Sequence, residues 1–155
     1  MRPGRRLGVD VGTVRVGVAA SDREGLLATP VATLARETQG SADLQRLAEF
    51  AADHDALEIV VGLPRSLSGR EGLAADAARD YAVRLAAVVA PLPVRLVDER
   101  LSTVSAHQHL RRSGVRERKG RAVIDQVAAV VILQHALDSE RGSGRPPGEI
   151  VVPTG

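Results

Sequence analysis

Residues 57–63 run Leu-Glu-Ile-Val-Val-Gly-Leu and are closed by Pro64. A short apolar segment of this kind suits a strand buried on both faces, at the centre of a sheet with cover above and below. The flanking segments supply the rest of such a sheet. Arg6–Val11 and Val14–Ala20 read as two strands joined at Gly12-Thr13, giving a hairpin. Pro30–Leu34 follows as a third strand and Val94–Asp98, behind Pro91 and Pro93, as a fifth. Between them, Leu44, Leu47, Ala48 and Ala51 recur at helical spacing behind Ser41, which is suited to an N-cap. Ala77, Tyr81, Leu85 and Val88 form a stripe within a helix over Leu73–Val89. Ser102 or Thr103 opens a short helix to Leu110, Gly114–Gly120 reads as a basic loop, and Ala122–Leu137 as an apolar final helix. The order β-β-β-α-β-α-β-α-α predicts an α/β fold, a five-stranded mixed sheet with helices on both faces. One domain is expected over residues 1–141. Residues 142–155, with four glycines and three prolines, read as a flexible C-terminal tail.

Composition narrows the chemistry. Phe50 and Tyr81 are the only aromatics, so Val, Leu, Ala and Ile must build the core. No cysteine is present, which excludes disulfides and thiolate metal sites. No apolar run approaches the roughly 20 residues needed to span a bilayer, and no apolar stretch of signal-peptide length precedes Asp10. A cytoplasmic protein without membrane contact is expected. His54, His107, His109 and His135 show no metal-ligand spacing.

Three acidic positions lie in or at the ends of apolar segments: Asp10, the Asp98-Glu99 pair and Asp125. Strand alternation in Gly8-Val9-Asp10-Val11-Gly12-Thr13 sets Leu7, Val9 and Val11 on one face and Gly8, Asp10 and Gly12 on the other. The glycines leave space beside the Asp10 carboxylate for an ion or a phosphate. Glu99 ends the fifth strand, where ligand crevices of α/β sheets open. Unless the strand has already ended, its neighbour Asp98 faces the other way, and it reads as an orienting or structural acid. Asp125 shares a helix face with Ala128, Ala129 and Ile132, which turns it inward. Taken singly, these acids have ordinary explanations: a hairpin turn for Asp10, an ion pair with Arg100 for Asp98-Glu99, a helix-dipole effect for Asp125. Together, apolar surroundings make three carboxylates costly unless a cation meets them. Oxygen-only ligands suit Mg²⁺ or Mn²⁺ rather than Zn²⁺, and such ions support phosphodiester cleavage.

Charge points toward the same substrate class. The formal net charge is only +2, yet Arg111, Arg112, Arg116, Arg118, Lys119 and Arg121, with Glu117 the one acid among them, give residues 111–121 a net +5. Arginine's forked donors match phosphate. Arg15 on the second strand, with Ser21-Asp22 beyond it, is a further candidate phosphate contact, though an ordinary surface position explains it equally. With both aromatics expected in the core, base stacking is a poor route to recognition. Backbone and shape readout, steeply salt-dependent, are expected instead, with Arg65 and Arg70 as further contacts.

These motifs, in this order, resemble the YqgF/RuvX family of pre-16S rRNA nucleases and Holliday-junction-resolvase-like proteins. The resemblance rests on Gly8–Ala19 with Ser21-Asp22, on Ile59-Val60-Val61-Gly62-Leu63-Pro64, on Asp98-Glu99-Arg100-Leu101-Ser102-Thr103 with Ala106, and on Lys119-Gly120 before Asp125 and Ala128-Ala129. It covers about residues 5–139. It implies a ribonuclease-H-like fold and a divalent-metal nuclease acting on structured RNA or branched DNA. The implied role is processing of the 5′ end of small-subunit ribosomal RNA. The family's acids carry over to Asp10, Glu99 and Asp125. Resolvases of the wider superfamily place an acid at the end of the fourth strand. This chain has Gly62-Leu63-Pro64 there, so its third acid comes from the Asp98-Glu99 strand.

Alternatives remain open at this point. The same fold could serve as a Holliday junction resolvase, or as a non-catalytic nucleic-acid-binding factor in ribosome assembly or transcription, with the small-subunit precursor as partner. Asp10-Val11-Gly12-Thr13 also resembles the first phosphate loop of actin-like ATPases, but those need a second domain to clamp nucleotide, which 155 residues do not supply. The Ala/Val helix faces are compatible with a homodimer as well as with a monomer's core.

Overall fold

The computed structural model describes residues 1–37, 39–65, 68–99 and 117–153, with side chains from residue 125 onward in the last stretch. Among the described residues, six strands form one mixed sheet: β1 (Arg6–Val11), β2 (Arg15–Ser21), β3 (Ala28–Ala35), β4 (Glu58–Leu63), β5 (Val94–Asp98) and β6 (Glu149–Ile150). Their spatial order is β3-β2-β1-β4-β5-β6. The first three strands are antiparallel neighbours, β1, β4 and β5 are mutually parallel, and β6 returns antiparallel to β5. The central strand is the one expected: every residue of β4 is buried. Six strands rather than five arise because Glu149–Ile150 pairs with Leu96 and Arg95. That pairing falls within the segment expected to be a flexible tail. A two-residue strand among glycines and prolines carries no periodicity of its own, and the unpaired edge of β5 supplies its hydrogen bonds.

Among the described residues, three helices cover the sheet: α1 (Ala42–Asp53), α2 (Leu73–Val89) and α3 (Glu117–Ser143). Leu44, Leu47 and Ala51 of α1, with Ala75, Ala78, Tyr81, Ala82, Leu85 and Ala86 of α2, pack on the face carrying Leu7, Val9, Ile59, Val61 and Leu63. Ser41 stands at the N-cap position of α1, but its side chain makes no capping bond. On the other face, Ala129, Ile132, Leu133, Ala136 and Leu137 of α3 pack against Ala19, Ala28, Val60 and Val97. Alternation along β1 therefore sends Leu7 and Val9 to the α1/α2 side and Gly8 and Asp10 to the α3 side. Glu117–Gly120, expected in a loop, already belong to α3, because Glu, Arg and Lys form helix readily without an apolar stripe. The helix expected up to Leu110 lies outside the described residues.

The two ends of the sheet differ in character. At the amino ends of β1, β4 and β5, Arg6, Glu58 and Glu140 are almost fully buried. Arg6 Nη2 donates to Glu140 Oε2 at 2.7 Å, Arg2 donates to both Glu58 and Glu140, and Arg95 Nε donates to Glu58 Oε2 at 2.8 Å. This closed network ties the chain's first residues, three strands and the end of α3 together. The carboxyl ends of the same strands carry the acids singled out above. Among the described residues, no helix is long and apolar enough to cross a membrane.

Candidate functional site

Asp10 is the fifth residue of β1 and is paired across the hairpin with Gly17. Gly17 has no side chain where α3 crosses it. A Cβ there would collide with the backbone carbonyl of Asp125. The glycine thus seats the helix so that Asp125 arrives beside Asp10. Gln126 strengthens the seat by donating to Thr33 Oγ1 of β3 at 3.0 Å. Gly62 plays the matching part on β4. A Cβ on it would meet the Glu99 carboxylate and, at 2.6 Å, Ile132 Cδ1. The Glu99 side chain therefore lies over Gly62 on the α3 face, while its backbone N–H donates to Leu63 O at 3.2 Å and continues the β4–β5 register. Strand-interior glycines commonly mark such close approaches. Replacing Gly17 by Ala is expected to push α3 off the sheet, lowering stability by about 1–3 kcal/mol. Urea unfolding measures this, and an unchanged midpoint would refute the seating role.

The electrostatics follow from this placement. Asp10 is partly buried, and burial followed by the charge of Asp125 pushes its carboxyl up to about 6. Burial, then the charges of Asp10 and Asp98, pushes Glu99 up to about 7. Three acids from β1, the end of β5 and α3 thus lie within electrostatic range, with Asp10 feeling or felt by both others. Shifts of this origin cluster at functional sites. Asp98 faces away and is approached by Arg65 Nη1 at 3.8 Å. Asp125 does have a cationic partner: Arg15 Nε donates to its Oδ2 at 2.7 Å. Among the described residues, no cation pairs with Asp10 or Glu99, and no three His, Asp or Glu side chains stand closed around one point as a finished metal cage. The donor set itself, all carboxylate oxygen and mutually repelling, fits a hard divalent cation and no soft one.

Of the arginines expected at nucleic acid, Arg15 lies at the mouth of this acidic cluster. Arg111, Arg112 and Arg116 lie outside the described residues, and for Arg118, Lys119 and Arg121 only the helical backbone is described. The contributions of Gly17 and Gly62 were not foreseen as contacts to the acids. Their signal was present as glycines inside strand patterns. The Arg15–Asp125 pair joins residues 110 apart in sequence and left no local trace.

A mixed sheet with three antiparallel strands leading into parallel ones, helices on both faces and acids at the carboxyl ends is the ribonuclease-H-like architecture. The structure of Thermus thermophilus RuvC in complex with a Holliday junction substrate superimposes with a TM-score of 0.56, covering 92% of this chain and 99% of that one at 16% identity. At that identity the likeness speaks for the fold. The sequence itself matches the RuvX family, Holliday junction resolvase, over residues 4–139, and the chain belongs to that family. A Streptomyces coelicolor protein named "Putative pre-16S rRNA nuclease" is 58% identical over 96% of this chain and 89% of its own length. A Nocardioides protein of the same name is 59% identical over 99% of this chain and 100% of its own.

Proposed function

We propose that this protein is a divalent-metal-dependent endonuclease cleaving phosphodiester bonds in structured nucleic acid, with the 5′ end of pre-16S rRNA as its substrate. The observation that carries the reading is the approach of three acids at the crevice end of the sheet: Asp10 opposite Gly17, Asp125 seated on Gly17, and Glu99 laid over Gly62. Asp10, Glu99 and Asp125 would hold Mg²⁺ or Mn²⁺. When bound, such an ion supplies an activated water and charge stabilisation for the leaving oxygen. The chain's own residues do the rest. Gly17 and Gly62 fix where the carboxylates stand. Arg15 and the basic residues Arg111, Arg112, Arg116, Arg118, Lys119 and Arg121 hold the phosphate backbone, so affinity falls steeply with salt.

The names of the relatives favour the ribosomal precursor, and the family description favours a four-way DNA junction as the second reading. Incubating pure protein with labelled pre-16S rRNA and, separately, with a four-way junction in Mn²⁺ decides between them. Metal-dependent products from the RNA alone support the first, from the junction alone the second. Binding to either without products supports a non-catalytic assembly factor.

The pH dependence of cation binding is fixed by the acids. Protons at about 6 on Asp10 and about 7 on Glu99 must leave before a cation enters. Adding Mn²⁺ is therefore expected to raise the unfolding temperature little at pH 5 and by about 5–10 °C at pH 8, with the ion at about a hundred times its dissociation constant. Scanning calorimetry at the two pH values measures this. An equal rise at both would place the ion elsewhere.

A further inference from the structure

We infer that Arg15 is a resident counter-cation that competes with the divalent ion for Asp125 and, once displaced, is delivered to the substrate's phosphate backbone. This rests on the metal-site reading above. Three observations carry it. Among the described residues Asp125 is the one acid of the three with a cationic partner, and that partner holds a carboxylate oxygen, Oδ2, at 2.7 Å. An ion that takes both carboxylate oxygens of Asp125 needs the Oδ2 that Arg15 holds, and its charge repels the guanidinium, so the two compete at Asp125. The arginine is also free to leave. Its side chain is 36% exposed while that of Asp125 is 15% exposed, so water partly screens the pair and the arginine is rehydrated as it leaves. Finally, the carboxylate stays when the arginine goes. The backbone of Asp125 is seated on Gly17 and Gln126 is anchored on Thr33, so neither depends on Arg15 for its place.

The displaced side chain has a destination. Arg15 opens β2, at the hairpin beside Asp10, so its guanidinium emerges at the mouth of the acidic cluster. A forked donor there matches a phosphate oxygen pair. Metal and nucleic acid then assist one another: the ion frees the arginine for the backbone, and the backbone holds the arginine off the carboxylate. By linkage, each raises the other's affinity by the same factor.

The test measures Mn²⁺ binding by calorimetry to the wild-type protein, R15Q and R15K, without nucleic acid, with thermal unfolding of each as a control. R15Q is expected to bind Mn²⁺ about five-fold or more tightly than wild type. R15K, which keeps the charge but loses the fork, should fall between them. The affinity of wild type for labelled pre-16S rRNA should rise on adding Ca²⁺, and that rise should shrink in R15Q. Unchanged or weaker Mn²⁺ binding by R15Q and R15K, with wild-type unfolding, overturns the competition, since a merely structural arginine would only organise Asp125. Wild type that binds no Mn²⁺ overturns the metal-site reading and this inference with it.

Discussion

Asp10→Asn is expected to abolish cleavage and, at the same time, to make the fold more stable at pH 8. On the proposed metal-site reading, the loss of activity follows from removing a charged ligand that no neighbour replaces. Several kcal/mol of transition-state stabilisation go with the ion, which is about a thousandfold or more in rate. The gain in stability follows from the direction of the shift. Asp10 and Glu99 release their protons at about 6 and about 7 in the folded chain, against ordinary values of 3.8 and 4.5. The folded state therefore binds more protons than the unfolded one across this interval. The contribution of these two acids to stability is greatest below the ordinary carboxylate range, falls as pH rises through it, and reaches its floor above pH ~7. Discounted for partial exposure, the Asp10 share is about 1–2 kcal/mol. An asparagine has the same shape and no such charge, so Asp10→Asn should recover that amount at pH 8 and almost none at pH 4. Urea unfolding at the two pH values, beside a cleavage assay, reads both effects. A variant that is less stable than wild type at pH 8 would mean that Asp10 is structural.

Glu140→Ala should show the opposite profile, with large destabilisation and intact chemistry. Glu140 is the carboxylate paired with Arg6, whose side chain is only 2% exposed. Arg6 otherwise donates to the carbonyls of Gly4 and Arg2 and touches the Met1 sulfur. Removing the acid leaves a buried guanidinium without its counter-charge, which costs about 3–5 kcal/mol, a large part of the margin of an ordinary domain. Asp125 and Glu140 lie fifteen residues apart on α3, about 22 Å along the axis. Cleavage per folded molecule should therefore be unchanged well below the unfolding temperature. Denaturant unfolding gives the first quantity and the assay under folding conditions the second. A loss below about 1 kcal/mol would show that water reaches Arg6 readily.

These two ends of one sheet also show which features the sequence displayed. The central strand was visible because residues 59–63 are apolar and Pro64 stops them. The site acids were visible because carboxylates in apolar segments stand out against their neighbours. What stayed hidden was pairing across distance. Glu58 looks like a charge at a strand's edge, and its burial depends on Arg2 and Arg95 arriving from elsewhere. Arg15 carries no local mark of its bond to Asp125. Gly17 and Gly62 were legible as strand glycines, but which acid each makes room for depends on the path of α3 and on where β5 ends. Strand β6 was illegible for a related reason: its two residues are ordered by the edge they meet, not by their own pattern.

Diffraction from a crystal soaked in Mn²⁺, read for anomalous density, tests the central claim most directly. A peak is expected within direct coordination distance of the carboxylate oxygens of Asp10, with Glu99 and Asp125 turned toward it and Arg15 released from Asp125. No density at Asp10, with Arg15 still on Asp125 and manganese bound only elsewhere, would contradict it.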